Sequence, residues 1–173
     1  GARGADLLVT SGGAPVGDYD LVRQALGATG FDLGFYKVAM RPGKPLIFGR
    51  LSGVPVLGLP GNPVSAGVCA VVYLKPLMAK MLGMAAAEAA AEPSALLGGD
   101  LPANDLRQDY LRARLSRNDS GEAVATPFPR QDSAMMANLA QADCLVIRPP
   151  HAPPARKGER ARIVILREGL VTL

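Results

Sequence analysis

The stretch Gly58-Leu59-Pro60-Gly61-Asn62-Pro63-Val64-Ser65 joins an apolar run at residues 54–59 to a longer apolar run that extends to Leu82. The first run predicts a buried strand and the second predicts a helix. Gly61 allows close backbone approach, Asn62 is a favoured N-cap, and Pro63 suits the first helical position. The stretch therefore predicts a tight strand-to-helix turn that attracts an anion through unpaired N–H groups and the helix dipole. A capped turn without a ligand fits the same residues equally well.

A second glycine turn lies upstream of the first. Residues 5–10 form a short apolar run of buried-strand type, and Ser11-Gly12-Gly13 follows it directly. A helical pattern then opens at Tyr19 or Asp20 and closes at Gly30. Because ligands of open α/β sheets bind beyond the carboxyl ends of the strands, we expect both glycine turns to open on one edge of a sheet.

Residues 36–45 lie between the two turns and contain three cations without an acid, namely Lys37, Arg41 and Lys44. A strand is predicted over Phe35–Ala39, and the prolines that follow predict a rigid turn at Lys44. A cationic turn beside two turns rich in N–H groups favours a polyanionic small molecule, of which a phosphate is the obvious case. A solvated basic loop is the alternative.

Composition narrows the class of protein. The chain has 173 residues, of which 49% are hydrophobic, and a formal charge of +4. This charge suits an anionic ligand, but the chain lacks the Lys/Arg density and interleaved aromatic residues of a nucleic-acid binder. Cys69, Cys144 and His151 show neither metal-site spacing nor a disulfide framework, so we predict a reducing, cytoplasmic location. The most apolar stretch, residues 64–74, is predicted to be too short for a membrane span, because Lys75 and Lys80 interrupt its continuation.

The second half of the chain predicts a different architecture. A turn signal at residues 118–121 predicts a hairpin from Tyr110 to Phe128, and Ser133 is the predicted N-cap of a short helix that ends at Ala140. Short strands of this kind suit a small β-barrel or a sandwich. The predicted strands are Ala95–Leu97, Tyr110–Leu115, Ala123–Phe128, Cys144–Arg148 and Arg162–Leu166.

Three segments together resemble a known family. Residues 10–20, with Thr10-Ser11-Gly12-Gly13 and Gly17-Asp18-Tyr19-Asp20, are followed by Lys37-Val38-Ala39-Met40-Arg41-Pro42-Gly43-Lys44-Pro45 and by residues 58–66. In this order and spacing they look like the molybdopterin molybdenumtransferases, the family of bacterial MoeA and the gephyrin E-domain. The resemblance implies an α/β fold with an incomplete doubly wound, MoaB/Mog-like molybdopterin-binding domain at 1–91. A small C-terminal β-barrel domain at 92–173 follows it.

The resemblance also implies a set of site residues. Asp20, Lys37 and Arg41 align with catalytic positions, although Arg41 stands where many members have a second lysine. Asp20 would hold Mg²⁺, and helix capping is the equally weighted alternative. The residues that would bind substrate are Ser11, Gly12, Gly13, Lys44, Gly61, Asn62, Ser65, Arg112 and Ser133. For Arg112 and Ser133, which would reach the site of another subunit, an exposed strand arginine and a helix cap are the alternatives.

The activity implied by the resemblance is insertion of molybdate into molybdopterin or its adenylate, with release of AMP. A homodimer and an adenylyltransferase partner are implied as well, with no nucleic acid and no membrane. A molybdopterin adenylyltransferase-like enzyme and a non-catalytic scaffold of the same fold are the alternatives. The chain lacks an initial Met and enters a strand within a few residues, so we expect a C-terminal fragment that is inactive by itself.

Overall fold

The chain folds into two units, which the computed structural model describes over residues 4–12, 30–84 and 93–167. The first unit consists of Gly1–Val38 and Gly43–Met78, and the second consists of Ala39–Pro42 and Ala79–Leu173. The predicted boundary between residues 91 and 92 lies outside the described residues. Residues 39–42, which the sequence prediction placed in the first domain, belong to the second unit.

The described residues form ten strands and two helices. The strands are β1 (Leu8–Ser11), β2 (Phe31–Tyr36), β3 (Met40–Arg41), β4 (Ile47–Leu51), β5 (Val54–Leu59), β6 (Ser94–Leu97), β7 (Gln108–Arg117), β8 (Ala123–Pro127), β9 (Cys144–Arg148) and β10 (Arg160–Ile165). The helices are α1 (Pro63–Met81) and α2 (Met136–Gln141). The predicted helix between Tyr19 and Gly30 falls on residues 13–29, outside the described part.

The first unit contains a four-stranded sheet in the order β1-β5-β4-β2. β1 and β5 are parallel, whereas β4 is antiparallel to both of its neighbours, β5 and β2. The strand predicted at Phe35–Ala39 is wrong in its bounds, since β2 ends at Tyr36. It ends there because Lys37 takes a left-handed backbone conformation, with φ of 67°, which an extended strand cannot contain.

Helix α1 follows β5 and begins as the sequence predicts. Asn62 is its N-cap, with a side-chain oxygen that accepts a hydrogen bond from the Ser65 N–H at 3.0 Å, and Pro63 occupies the first turn. Val64, Val68 and Cys69 are buried on one face of the helix. Residues 70–74 form a π-helical turn within it. The prediction of a tight, capped turn from β5 into this helix is confirmed.

The helix predicted from the apolar run to Leu82 is confirmed to within one residue, and it extends past residues 64–74, the stretch predicted to be too short for a membrane span. The helix continues through Lys75 and Lys80 to Met81, giving 19 residues that are long and apolar enough, by length and composition alone, to cross a membrane. One such helix is weak support for a membrane span, because the core helices of water-soluble proteins pass the same test. It is the one such helix within residues 4–12, 30–84 and 93–167.

The second unit contains a closed five-stranded barrel. The strands pair in the order β7-β8-β6-β10-β9, and β9 pairs back to β7, so no edge is left open. The barrel predicted from short strand signals is confirmed, as is the hairpin, because β7 and β8 pair antiparallel. Apolar side chains fill the interior, which contains Ala95, Leu97, Ala113, Ala125, Cys144, Val146, Ala155 and Ile163.

Two features of the second unit differ from the prediction. Strand β3, which the sequence prediction did not identify, pairs in parallel with the beginning of β7. Ser133 does not cap a helix, because α2 begins three residues later, at Met136. The turn that holds Ser133 is closed by Asp132, whose carboxylate accepts a hydrogen bond from the Ala134 N–H at 2.8 Å.

Candidate functional site

Four residues, one from each strand, pair in turn across the sheet of the first unit and form a row near one of its edges. Thr10 pairs with Gly58, Gly58 with Ile47, and Ile47 with Tyr36. Since β4 is antiparallel to both neighbours, β1, β5 and β2 all run in the same direction and end on the same side of this row. The expectation that the two glycine turns open on one edge is confirmed, and Lys37, which follows Tyr36, emerges on that edge too.

The row also sets the span of this edge. Neighbouring strands lie about 4.8 Å apart, so the three steps from Thr10 to Tyr36 cover about 14 Å. A single oxyanion is only a few ångströms wide. The glycine turns and the backbone of Lys37 are therefore too far apart for their backbones to contact one oxyanion together.

The two glycine turns touch each other at the ends of β1 and β5. The Gly12 N–H donates to the Leu59 carbonyl at 3.2 Å. A Cβ placed on Gly61 would lie 3.2 Å from the Cα of Gly12, which is closer than nine in ten real Cβ contacts. Gly12 also has a backbone φ of 80°, which residues other than glycine rarely adopt. The close approach thus favours glycine at position 61, and the backbone angle favours glycine at position 12.

The beginning of α1 adds polar groups at this corner, although fewer than the sequence implied. Asn62 uses its side-chain oxygen for the Ser65 N–H, and its carbonyl accepts from the Ala66 N–H at 2.8 Å. These two donors are therefore committed, and Ser65 itself is buried. Backbone donors for an anion at this turn must come from residues before Ser65, with Gly61 exposed.

Lys37 and Lys44 lie at the two ends of a loop closed by backbone hydrogen bonds. The Lys37 N–H donates to the Leu46 carbonyl at 3.1 Å, and the Lys44 carbonyl accepts from Val38 and Leu46 at 2.9 and 3.0 Å. Both lysine side chains are exposed. The Lys37 ammonium lies over the ring of Tyr36, 4.8 Å from its centroid. The predicted rigid turn at Lys44 is confirmed in its backbone.

Arg41 is not the free cation that the local sequence predicted, and it belongs to the second unit. Its Nε and Nη2 donate to the two carboxylate oxygens of Asp109 at 2.8 and 2.5 Å, and its Nη1 donates to Asp105 at 3.2 Å. The hydrogen bond to Asp109 raises the pKa of Arg41, against a smaller opposing effect of burial. An oxyanion at this guanidinium would meet two carboxylates, so the expected neutralisation of molybdate by Arg41 is not favoured.

Arg112, predicted as an exposed strand residue or a substrate contact, is buried in β7 with 1% of its surface exposed. Its Nη2 donates to the Asp132 carbonyl at 3.1 Å, whereas Nε has no hydrogen-bond partner in the part of the chain described. Burial lowers the pKa of this guanidinium. The alternative of an exposed strand arginine is therefore wrong. A buried donor without a partner is rare in proteins and calls for an explanation.

A cavity of about 530 Å³ lies in the second unit, and Arg112 is among its lining residues. Arg41, Asp109 and Arg148 line it as well. Arg148 is also buried and donates from Nη2 to the Pro102 and Pro153 carbonyls. Ser133 is not one of the lining residues. Within this unit the cavity gathers basic side chains that the sequence analysis did not connect.

The remaining predicted residues cannot be placed. Gly13 and Asp20 lie within residues 13–29, outside the described part of the chain. Among the described residues there is no group of three or more His, Cys, Asp or Glu side chains that could hold a metal ion.

The sequence analysis missed Asp105, Asp109 and Arg148. Arg41 lies 64 and 68 residues from Asp105 and Asp109, and Arg148 donates to backbone carbonyls, so local spacing does not point to these contacts. Asp105 also contacts Arg107, two residues away, at 3.6 Å. The sequence offers one signal for the two acids: Asp105 and Asp109 lie two residues before and two residues after Arg107, just before the strand predicted at Tyr110.

Comparison with known families finds two matches along the chain. Residues 1–80 match the family described as "Probable molybdopterin binding domain", and residues 94–166 match "MoeA C-terminal region (domain IV)". The two matched ranges fall on either side of residues 85–92, which contain the predicted domain boundary.

Individual relatives agree with these matches. The chain is 32% identical over 159 residues to the molybdopterin molybdenumtransferase of Haemophilus influenzae, which covers 92% of the chain and 39% of that relative. It is 30% identical to the enzyme of the same name from Bacillus subtilis, over 94% of the chain and 37% of the relative. A solved structure titled as the molybdopterin biosynthesis MoeA protein of Pyrococcus horikosii matches with a TM-score of 0.75 at 26% identity, covering 97% of the chain and 39% of that structure. The chain thus spans about two fifths of the length of these relatives.

Proposed function

Because the chain belongs to the MoeA family, we propose that it serves the insertion of molybdate into molybdopterin or its adenylate, with release of AMP. The observation that carries this proposal is the shared edge of the first-unit sheet, where Gly12, Gly61 and Lys37 emerge from strands running in one direction. The molybdenumtransferase relatives named above support the reaction class.

In this proposal the two adjoining turns at Gly12 and Gly61, here called the glycine corner, bind the phosphate group of the pterin. Because Gly61 is exposed and has no side chain, a phosphate can approach the backbone N–H groups that precede Ser65. Each such contact contributes about 0.3–1 kcal/mol when exposed and up to about 2 kcal/mol when partly buried. A micromolar ligand requires about 8 kcal/mol, so the corner alone is too weak and needs a second anchor.

Lys37 is the proposed second anchor, and it neutralises molybdate. An ammonium is a compact point charge that attracts an oxyanion without fixed geometry. The span of about 14 Å along the edge suits a ligand that presents anionic groups at separate points. The protein's contribution is then to position two anionic groups and stabilise their charge, rather than to form covalent bonds.

Other parts of the predicted site stay outside this mechanism. Arg41 is paired with acids, and we leave it out of the oxyanion contacts. We propose that Arg112 contributes from another subunit of a homodimer, as the resemblance implies, because its Nε is a buried donor without a partner among the described residues. Mg²⁺ at Asp20, a role for Ser133 and an adenylyltransferase partner stay predictions, and no step is routed through them.

A substitution at Lys37 tests the proposal. In the full-length protein, Lys37→Ala should abolish molybdoenzyme activity in a cell that depends on this gene, whereas Lys37→Arg should retain part of it. Lys80→Ala is a matched control, because Lys80 is another exposed lysine, in the last turn of α1. Normal molybdoenzyme activity with Lys37→Ala would contradict the proposal.

Lys37→Gly separates function from stability. Glycine accepts φ of 67° without the strain of about 1–2 kcal/mol that other residues carry there, and it loses about 0.4–1 kcal/mol through the freer unfolded chain. We therefore expect the free energy of unfolding to be unchanged or raised by up to about 1.6 kcal/mol, with activity lost. A soak with tungstate should give an anomalous peak beside Lys37, and a peak elsewhere would count against this site.

The alternative of a molybdopterin adenylyltransferase-like enzyme receives no support from the second unit. Such an enzyme ordinarily lacks an appended barrel, whereas β6–β10 close one here. A scaffold role remains compatible with the fold but does not require an exposed lysine at the sheet edge.

A further inference from the structure

Lys37 breaks the side-chain alternation of the strand that precedes it. Successive residues of a strand point to opposite faces, so an extended Lys37 would point away from the face of Tyr36. At φ of 67° the chain leaves this pattern. The ammonium instead lies 4.8 Å from the centroid of the Tyr36 ring. Left-handed backbone is uncommon outside glycine, asparagine and aspartate, and its presence at a lysine calls for a reason.

The backbone on both sides of Lys37 is held in place. Tyr36 pairs with Ile47 in the sheet, the Lys37 N–H donates to Leu46, and the Val38 N–H donates to Lys44. The Cα of Lys37 therefore starts from a fixed position at the sheet edge. The four-carbon side chain beyond it has several rotatable bonds, and only a contact near its end can fix the ammonium.

We infer that Tyr36 is a positioning residue, whose ring holds the Lys37 ammonium at the edge where the oxyanion binds. The inference rests on the proposed function, in which Lys37 contacts molybdate. A cation is attracted to an aromatic face within about 6 Å of the ring centroid. Because Lys37 is exposed and Tyr36 is half-buried, loss of the ring should weaken oxyanion affinity by about two- to fivefold.

The test compares Tyr36→Leu with Tyr36→Phe in the full chain. Leucine removes the ring, and phenylalanine keeps its face while removing the hydroxyl. Tungstate affinity is measured by isothermal titration, and the Hε protons of Lys37 are observed by NMR, assigned by their loss in Lys37→Arg. We expect these protons to show an upfield ring-current shift in the wild type and in Tyr36→Phe. In Tyr36→Leu we expect them to resonate at the position of the other lysines.

The two measurements separate this inference from the proposed function. Weakened tungstate binding in Tyr36→Leu with restoration in Tyr36→Phe supports the positioning role. Lys37 Hε protons in the wild type at the position of the other lysines would overturn it, even if Tyr36→Leu failed to fold. Tungstate affinity in folded Tyr36→Leu equal to that of the wild type would overturn it as well. Wild-type protein that shows the ring-current shift but does not bind tungstate would instead reject the proposed function.

Discussion

Replacing Arg41 tests whether its two hydrogen bonds to the Asp109 carboxylate stabilise the second unit. The carboxylate of Asp109 is 8% exposed and accepts two hydrogen bonds, whereas the Arg41 side chain is 44% exposed. Removing one partner of a fully buried ion pair costs about 3–5 kcal/mol, because it leaves the other charge unpaired. Since nearly half of Arg41 meets solvent, we expect Arg41→Gln to lower the unfolding free energy by about 1–3 kcal/mol.

A double-mutant cycle with Asp109→Asn measures the pair itself. Urea unfolding followed by circular dichroism should give a coupling of about 1–2 kcal/mol between the two substitutions. Arg156→Gln is the matched control, because Arg156 forms a 3.4 Å ion pair with Asp100 in which the two side chains are 80% and 61% exposed, respectively. That control should change stability by less than about 0.5 kcal/mol. Equal losses for Arg41→Gln and Arg156→Gln, or a coupling near zero, would refute the reasoning.

Three further predictions concern the adjacent residues Gly98 and Gly99, which follow β6, and the two buried thiols. Gly98→Ala should destabilise the barrel by about 1–3 kcal/mol, because its Cβ would lie 2.9 Å from the Thr126 Cβ, whereas Gly99→Ala meets nothing within 4 Å and should be neutral in thermal unfolding. Burial raises the pKa of the Cys69 and Cys144 thiols to about 12. Both should therefore react with a thiol reagent at pH 8 far more slowly in the folded protein than in urea, and equal rates would contradict the structure. Above about pH 8.5 the unfolded thiols ionise while the folded ones stay protonated, so stability should fall as the pH rises toward 12.

The local features of the fold could be predicted from the sequence. The strand Cys144–Arg148 has the predicted bounds, and Asn62 and Pro63 begin the helix as expected. Each of these features depends on residues within a few positions of one another. The meeting of the two glycine turns was also predictable, since parallel strands share an edge and glycine permits close approach.

Features that depend on distant residues could not be predicted. Residues 36–45 contain no acid, yet the carboxylates that pair with Arg41 come from β7 and the turn before it. The helix start expected at Ser133 fails because Asp132, one residue earlier, closes a turn first. The end of β2 depends on the backbone angle of Lys37, which no propensity for lysine indicates.

Strand β3 has a consequence for the order in which the protein is made. Arg41 precedes Asp109 by 68 residues, so at 5–20 residues per second the ribosome needs about 3–14 s to supply its partner. Met78, the last first-unit residue of this chain, is added 31 residues before Asp109, and β3 has no partner strand until β7 is made. A gene shortened to begin at residue 93 would encode a barrel without this strand, and Asp109 would lose its guanidinium.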